Sequence, residues 1–425
     1  MTIDSGWTKI LKEGAPQAFR PVLGVTPYTV FIDGQINLMK ADYIRTWTHF
    51  FEQQFLNKVE KAFAYGAKVV VLAFDNYKHV PTCKAMTQLQ RSRHVPPMTF
   101  KEDEQLPAIL PENWAGAMRN RTFKTKVAAF VVQNLRIKFQ DETTRTLVID
   151  FTDQVEVLGA AFALPAVLQP DSKARRGECD IKAFAYLSNA GPLLVESTDG
   201  DFIPLALLQM QKEAIRSGKM PLVILHRMYT VTDSERMSKK RNTEGNVVRR
   251  YEFVYIAQVL DWLRRELTFV PNPVFAFSAL VAATGCDFCM HLPNLGPKTL
   301  WKARHLLASL DLKQPHDLML AILRIYHNQY KQKVCPMHIR ASPQACLQDV
   351  VDQYEQLTTG IQRNTKIAQR TRESIWAPER MHAHVKNALW TLQYWENLDE
   401  FLDPLQGAFG YRLQNGRVHF DGVCS

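Results

Sequence analysis

The sequence predicts an α/β protein built on a doubly wound, mostly parallel sheet with helices on both faces. Three observations predict it. Five short apolar runs rich in β-branched residues recur along the chain, segments with helical spacing separate them, and each run is apolar enough to be covered on both faces. The runs are YTVFID (28–33), KVVVLAFD (68–75), TLVIDF (146–151), PLLVES (192–197) and PLVILH (221–226). Helical spacing marks the segments between them, IRTWTHFFEQQFLNKVEKAFAYG (44–66), CKAMTQLQRSR (83–93) and ECDIKAFAYLSNAG (178–191).

Composition narrows the class. The chain has 425 residues, 46% hydrophobic and 22% charged, which suits one large globular domain or a domain with an appendage. No apolar run is long enough to span a bilayer, and the start, MTIDSGWTKI, lacks the basic-then-apolar pattern of a secretion signal. An intracellular protein with no membrane partner is the expectation. Seven scattered cysteines argue for reduced thiols, and a net charge of +10 with a pI near 9.2 points to a polyanionic partner.

Sheets of this kind collect their ligands at the carboxyl ends of the strands. There the sequence places acids: Asp33 and Asp75 close two of the runs, and Asp199 and Asp201 follow a third. Glu178 and Asp180 open the segment ECDIKAF, and Asp287 stands in ALVAATGCDF. Singly, each has an ordinary reading as a turn former, helix cap or first-turn acid. Asp199 and Asp201 are more specific, because strand alternation would send both side chains to one side. Gathered in one cleft, so many carboxylates repel and take up protons unless divalent cations relieve them, and oxygen-only ligands favour Mg²⁺ or Mn²⁺. Zinc is not expected, although Cys286-x2-Cys289 and Cys335-x2-His338 have ligand-like spacing.

Taken in order, FIDG, AFDN, GECD, STDGDF and TGCDFCMHLPNLGPKT resemble the motifs of the flap endonuclease and XPG family of structure-specific 5′ nucleases, which share a PIN-like fold. GWTKILKEGAPQAFR (6–20) is similar to that family's N-terminal segment beside the active site. The resemblance covers roughly residues 1–311. It implies two Mg²⁺ ions, replaceable by Mn²⁺, held by Asp33, Asp75, Glu178, Asp180, Asp199, Asp201 and Asp287. Hydrolysis of a phosphodiester would leave a 5′ phosphate and a 3′ hydroxyl. A basic helix should face the phosphate; Lys84 and Arg91, two helical turns apart, fit that role and would stabilise the transition state.

Further expectations concern nucleic-acid contacts. Residues 92–145 correspond to the family's helical arch or gateway, but VPPMTF and LPAILPENW interrupt it with prolines. Beyond them, Arg119, Arg121, Lys124 and Lys126 suit a phosphate backbone, with Phe123 positioned to stack on a base. A helix-two-turn-helix is expected at about 285–307, where Gly296, Lys298 and Thr299 would hold a duplex phosphate, commonly with K⁺ in relatives. Met39 stands where relatives carry a base-stacking aromatic residue, Asn294 replaces a hairpin glycine, and Thr2 replaces a glycine near the start.

Residues 312–425 lie beyond the resemblance and read as a mostly helical extension, with Trp376, Trp390 and Trp395 as core candidates and a hairpin at YRLQNGRVHF. SKKRN, with Arg249 and Arg250, falls in an expected hairpin insert at 236–251 that suits duplex DNA or a nuclear signal. No clamp-binding peptide is found, and a monomer in a nuclear or other DNA-containing compartment is favoured. The function expected is cleavage of structured DNA, at flaps, nicks or branched ends, in replication, repair or recombination. GECDIKAF and DFCMHLPNL also look like motifs of 5′-3′ exoribonucleases, and host-shutoff ribonucleases share the fold, so an RNA nuclease is the alternative. An inactive nucleic-acid scaffold is the third reading, which the full set of acids disfavours.

Overall fold

In the computed structural model, the described residues are 6–41, 44–76, 84, 98–151, 153, 155–169, 172, 177–187, 191–230, 249–286, 288–289, 292, 295–330, 378–398, 403–404, 409, 411–414 and 417–420. Their centre is an eight-stranded mixed sheet, order β1-β8-β7-β6-β2-β3-β4-β5. The strands are β1 (Phe19–Arg20), β2 (Thr29–Asp33), β3 (Val69–Ala73), β4 (Thr146–Asp150), β5 (Val155–Gly159), β6 (Leu193–Glu196), β7 (Val223–Thr230) and β8 (Arg249–Tyr255). The strands from β7 to β4 run parallel, and the outer pairings β4–β5, β7–β8 and β1–β8 are antiparallel. Every residue of β2, β3 and β4 is buried, as parallel strands covered on both faces require.

Strand alternation divides the apolar residues into two cores. Phe31, Val71, Val148, Val195 and Leu225 point to one face. Val30, Ile32, Leu72, Ile149, Leu194 and Ile224 point to the other. Burying a side chain of this size stabilises by about 1.5–3 kcal/mol, so a shift of one residue in register would be strongly disfavoured.

The helices, in chain order, are α1 (Gly6–Gly14), α2 (Gly34–Leu38), α3 (Trp47–Phe51), α4 (Asn57–Ala64), α5 (Trp114–Ala117), α6 (Arg121–Phe139), α7 (Cys179–Lys182), α8 (Phe202–Ser217), α9 (Ile256–Glu266), α10 (Pro273–Thr284), α11 (Pro297–Lys302), α12 (Pro315–Tyr330) and α13 (Pro378–Glu396). A single π turn, Glu52–Leu56, joins α3 to α4. Local chemistry sets several starts. Asn120 accepts from Phe123 N at 3.0 Å to cap α6, and Asn272 caps α10 through Phe275 N at 3.1 Å, with Pro273 in the first turn. Gly218, at φ 70°, ends α8 in the left-handed conformation that glycine adopts without strain.

Two expectations change here. Within the expected gateway of residues 92–145, the part from Arg121 is a helix packed on the sheet: Phe123, Val127, Val131 and Leu135 of α6 are buried at helical spacing against Val70 and Leu147. Phe123, fully buried between Trp114 and Phe100, is therefore a core residue and not a base-stacking one. Asp199 and Asp201 also do not alternate on a strand. β6 stops at Glu196; Asp199 lies in the following turn and Asp201 is the N-cap of α8.

Beyond residue 311, α12 and α13 contribute Leu318, Ile322, Leu389, Trp390 and Trp395 to the same core as α8 and α10. β9 (Tyr411–Gln414) and β10 (Arg417–Phe420) pair antiparallel, as the Asn-Gly pattern predicts. β7 and β8 pair antiparallel as well, while SKKRN and Trp376 lie outside the described residues. No helix among the described residues is long and apolar enough to cross a membrane.

Candidate metal and nucleic-acid site

The parallel register brings the carboxyl ends of β2, β3 and β6 level, with Asp33 opposite Ala73 and Ile32 opposite Glu196. Asp33 is 2% exposed. Its Oδ1 accepts from Ile36 N at 3.0 Å, capping α2, and its Oδ2 accepts from Ser197 Oγ at 3.1 Å. Burial pushes this carboxyl from its ordinary 3.8 to about 6; the Ile36 hydrogen bond opposes the shift, and the charges of Asp75 and Asp199 add to it. Gly34 follows, and a Cβ there would lie 2.6 Å from Ala73 O, so glycine lets β2 turn into α2 hard against β3.

Asp75, just past β3, accepts from Cys179 N at 3.0 Å. That bond fastens α7, whose N-cap is Glu178 and whose first turn holds Asp180. Three further contacts anchor the segment. Asn76 N donates to Gly177 O at 2.7 Å, and Lys182 Nζ donates to Phe74 O at 2.8 Å and pairs with Asp150 Oδ1 at 2.7 Å. Lys182 and Asp150 are both buried, a costly pairing unless geometry and hydrogen bonds offset desolvation. Asp180 is driven well above the usual carboxylate range, first by burial and then by Asp199 and Asp33, with Glu178 adding and Lys84 opposing.

In the turn after β6, Ser197 Oγ accepts from Asp199 N at 3.2 Å, and Asp199 Oδ1 accepts from Asp201 N at 3.0 Å. The Asp201 side chain caps no backbone N–H of α8. Beside this turn, Trp7, Thr8 and Leu11 of α1 share a small crevice with Gly200 and Ile203, so the N-terminal helix passes the acids. Asp75 and Asp199 thus act on Asp33, and Asp199, Asp33 and Glu178 act on Asp180, charges delivered by separate segments to one edge of the sheet.

The donor set has the chemistry of a divalent-cation site, oxygen ligands short of positive charge. Among the described residues no group of three or more His, Cys, Asp or Glu side chains is arranged to hold a metal ion. Asp33, Asp75 and Asp199 each accept a hydrogen bond from within the chain, and Glu178 is ion-paired to Lys84. Asp287 lies outside the described residues.

Basic side chains flank the acids. Lys84 is buried, with its ammonium over the Phe288 ring at 6.0 Å. Arg91 lies outside the described residues. Burial lowers the Lys124 pKa; Asp75 opposes this, while Lys84 and Arg121 reinforce it, so Lys124 lies within reach of the charge of Asp75. Lys126 points elsewhere, donating to Glu102 O and Glu104 O at 2.6 and 2.5 Å. Arg119 is half-buried just ahead of α6, and Met39 is exposed at the end of α2. Gly296 and Lys298 are exposed at the start of α11, and Thr299 N donates to Gly296 O at 3.0 Å. Asn294 is outside the described residues.

The sequence reading missed four residues. Lys182, Asp150 and Ser197 hold the acids in place, and Lys58 of α4 reaches the same edge. Lys58 donates to Asn37 Oδ1, and its pKa is lowered to about 8 by burial and by Lys40, against the pull of Glu196 and Asp33. An apolar run ending in Asp150 was a signal for one of them; the others depend on partners distant in sequence.

Fold and site together define an α/β protein with a charged carboxylate edge flanked by lysines. No protein-family model matches the chain, and no curated protein matches it. The chain is similar to a solved structure, the catalytic core of Rad2 in complex with a DNA substrate, at 14% identity over 90% of this chain and 92% of that one, with a TM-score of 0.38. A superposition this loose carries no functional weight.

Proposed function

We propose that this protein is a metal-dependent nuclease that hydrolyses phosphodiester bonds of structured DNA. The observation that carries the reading is the placement of Asp33, Asp75, Asp180 and Asp199, from separate segments, beside the buried Lys84 at the carboxyl edge of a parallel sheet. The motif resemblance, with its PIN-like fold and structure-specific 5′ nucleases, supports the same assignment. These four residues with Glu178, Asp201 and Asp287 would hold Mg²⁺ or Mn²⁺. Such ions activate a water molecule and stabilise the departing oxygen in phosphodiester hydrolysis.

The chain's own residues then have separable tasks. Lys182 and Asp150 hold α7 against β3 and β4, and the Asp75–Cys179 bond sets the distance between the two acid-bearing segments. Lys84 and Lys124, partly withdrawn from water, offer positive charge to a phosphate entering beside the acids, where a low dielectric makes each more effective. Exposed Lys298 of α11 and Arg121 of α6 would contact the backbone of the nucleic acid further out.

The test is cleavage, in Mg²⁺ and in EDTA, of a 5′-flap DNA, a nicked duplex, a single-stranded DNA and a single-stranded RNA. An Asp199→Asn/Asp201→Asn protein is the control. Mg²⁺-dependent cutting near the flap junction that the control loses is the expected result. Cutting of RNA alone would move the assignment to a ribonuclease, and no cutting of any substrate would overturn it.

A further inference from the structure

The face of the sheet that carries Val30 and Ile32 is covered by α3, α4 and α6 over β2, β3 and β4, and β8 carries an exposed ring beside that cover. There Tyr251 is 58% exposed. Its ring centroid lies 5.5 Å from His226, which stacks on Phe253 at 4.5 Å with an interplanar angle of 11°. The imidazole is held from below, with Nδ1 3.0 Å from Glu196 Oε1. Lys61 of α4 closes the group from the side, its ammonium 5.6 Å over the Tyr65 ring and 5.8 Å over Tyr251. Lys58, one turn earlier, reaches Asn37 and the charge of Asp33. At the other end, Val22, Val25, Tyr65 and Phe253 line an open groove of about 600 Å³. A path therefore runs from the acid edge along α4, past the exposed Tyr251 ring, into this groove.

We propose that the exposed ring of Tyr251, backed by the buried His226 and flanked by the half-buried Tyr65, with Lys61 above them, forms a stacking platform for a single-stranded segment of nucleic acid on its way to or from the acids. The proposal rests on the nuclease reading for its substrate, but its observations are separate from the acid site. An exposed ring with an ammonium group beside it has the chemistry of single-strand binding, in which bases stack without sequence preference and cations neutralise phosphates. Charge decides the occupant. The protein carries a net charge of +10, and an apolar helix or a second copy of the chain laid on this face would bury the exposed ammonium group of Lys61 against carbon. A polyanion with flat apolar bases satisfies both halves of the surface.

The experiment uses the full chain in EDTA, with oligonucleotides of deoxythymidine and of uridine that carry one 2-aminopurine, read by anisotropy and by base fluorescence. Tyr251→Ala should weaken binding about tenfold, equivalent to about 1.4 kcal/mol, and should relieve 2-aminopurine quenching. Tyr251→Phe should keep both within about twofold, because the ring and not the hydroxyl does the stacking. Lys61→Ala should weaken binding and flatten its salt dependence. Unchanged affinity and quenching in Tyr251→Ala would overturn the platform, as would a shift from dimer to monomer in sedimentation with binding intact. The two readings fail separately: Tyr251-dependent binding by a protein that cleaves nothing keeps the platform and sinks the nuclease, and Mg²⁺-dependent cleavage with Tyr251-independent binding does the reverse.

Discussion

Asp33 is a helix cap and a member of a charged group at once, and its titration exposes the conflict. Its folded pKa, about 6, lies above the ordinary 3.8, so the folded state holds this proton more tightly than the unfolded chain does. The stabilisation is complete below about pH 4 and is lost as pH rises through 6. Chelated protein should gain up to about 2–3 kcal/mol on acidification from pH 7 to pH 4 through this group, by the conversion of about 1.4 kcal/mol per pKa unit. Thermal melts across that range check it; Asp33→Asn should remove the gain, and saturating Mg²⁺ should shrink it by supplying the charge otherwise supplied by protons. Lys182 makes the complementary case. Lys182→Met strands Asp150 as a buried charge and should cost about 3–5 kcal/mol in urea unfolding, whereas Lys182→Met/Asp150→Leu should recover most of the loss. Neither partner was legible as a pair: Asp150 showed only as the end of an apolar run, and nothing in ECDIKAF shows that its lysine points inward to a strand end 32 residues away.

At the scale of elements, the junction of β2 with α2 is the tightest point of the site. Gly34→Ala would place a methyl group 2.6 Å from Ala73 O and 2.7 Å from the Phe74 ring. One of those neighbours is backbone, so the strand ends must part. A cost of about 1–3 kcal/mol is expected, together with a loss of Mg²⁺-induced rise in melting temperature, because Asp33 moves with the junction. Asn272→Ala, which removes the α10 cap, should cost about 1 kcal/mol and leave the Mg²⁺ response intact. The central strands were readable because parallel strands buried on both faces are continuous β-branched runs. Asp199 and Asp201 were misread as strand partners because the same alternation does not show where a strand stops; Ser197, which bonds both Asp33 and Asp199, ends it. Phe123 was misread because its basic neighbours resemble a nucleic-acid strip, while Val127, Val131 and Leu135 at helical spacing carried the stronger signal for a core face.

The whole molecule is one packing problem with respect to α13. Trp390 and Trp395 are buried in the core that also holds α8 and α10. A chain cut after residue 330 should therefore lose its cooperative unfolding transition and bind a hydrophobic dye such as ANS, the behaviour of a collapsed but unpacked state. Retention of a single sharp transition would show that the sheet and its acids fold without α13.

Gln209 of α8 donates to Trp395 O, a bond that spans 186 positions of sequence. At roughly 5–20 residues synthesised per second, α13 reaches the growing fold about ten to forty seconds after α8. Through that interval the helix that opens at Asp201 lacks the partner that covers it. A ribosome stalled before residue 378 would therefore display α8, and Asp201 at its start, without the helix that packs on it.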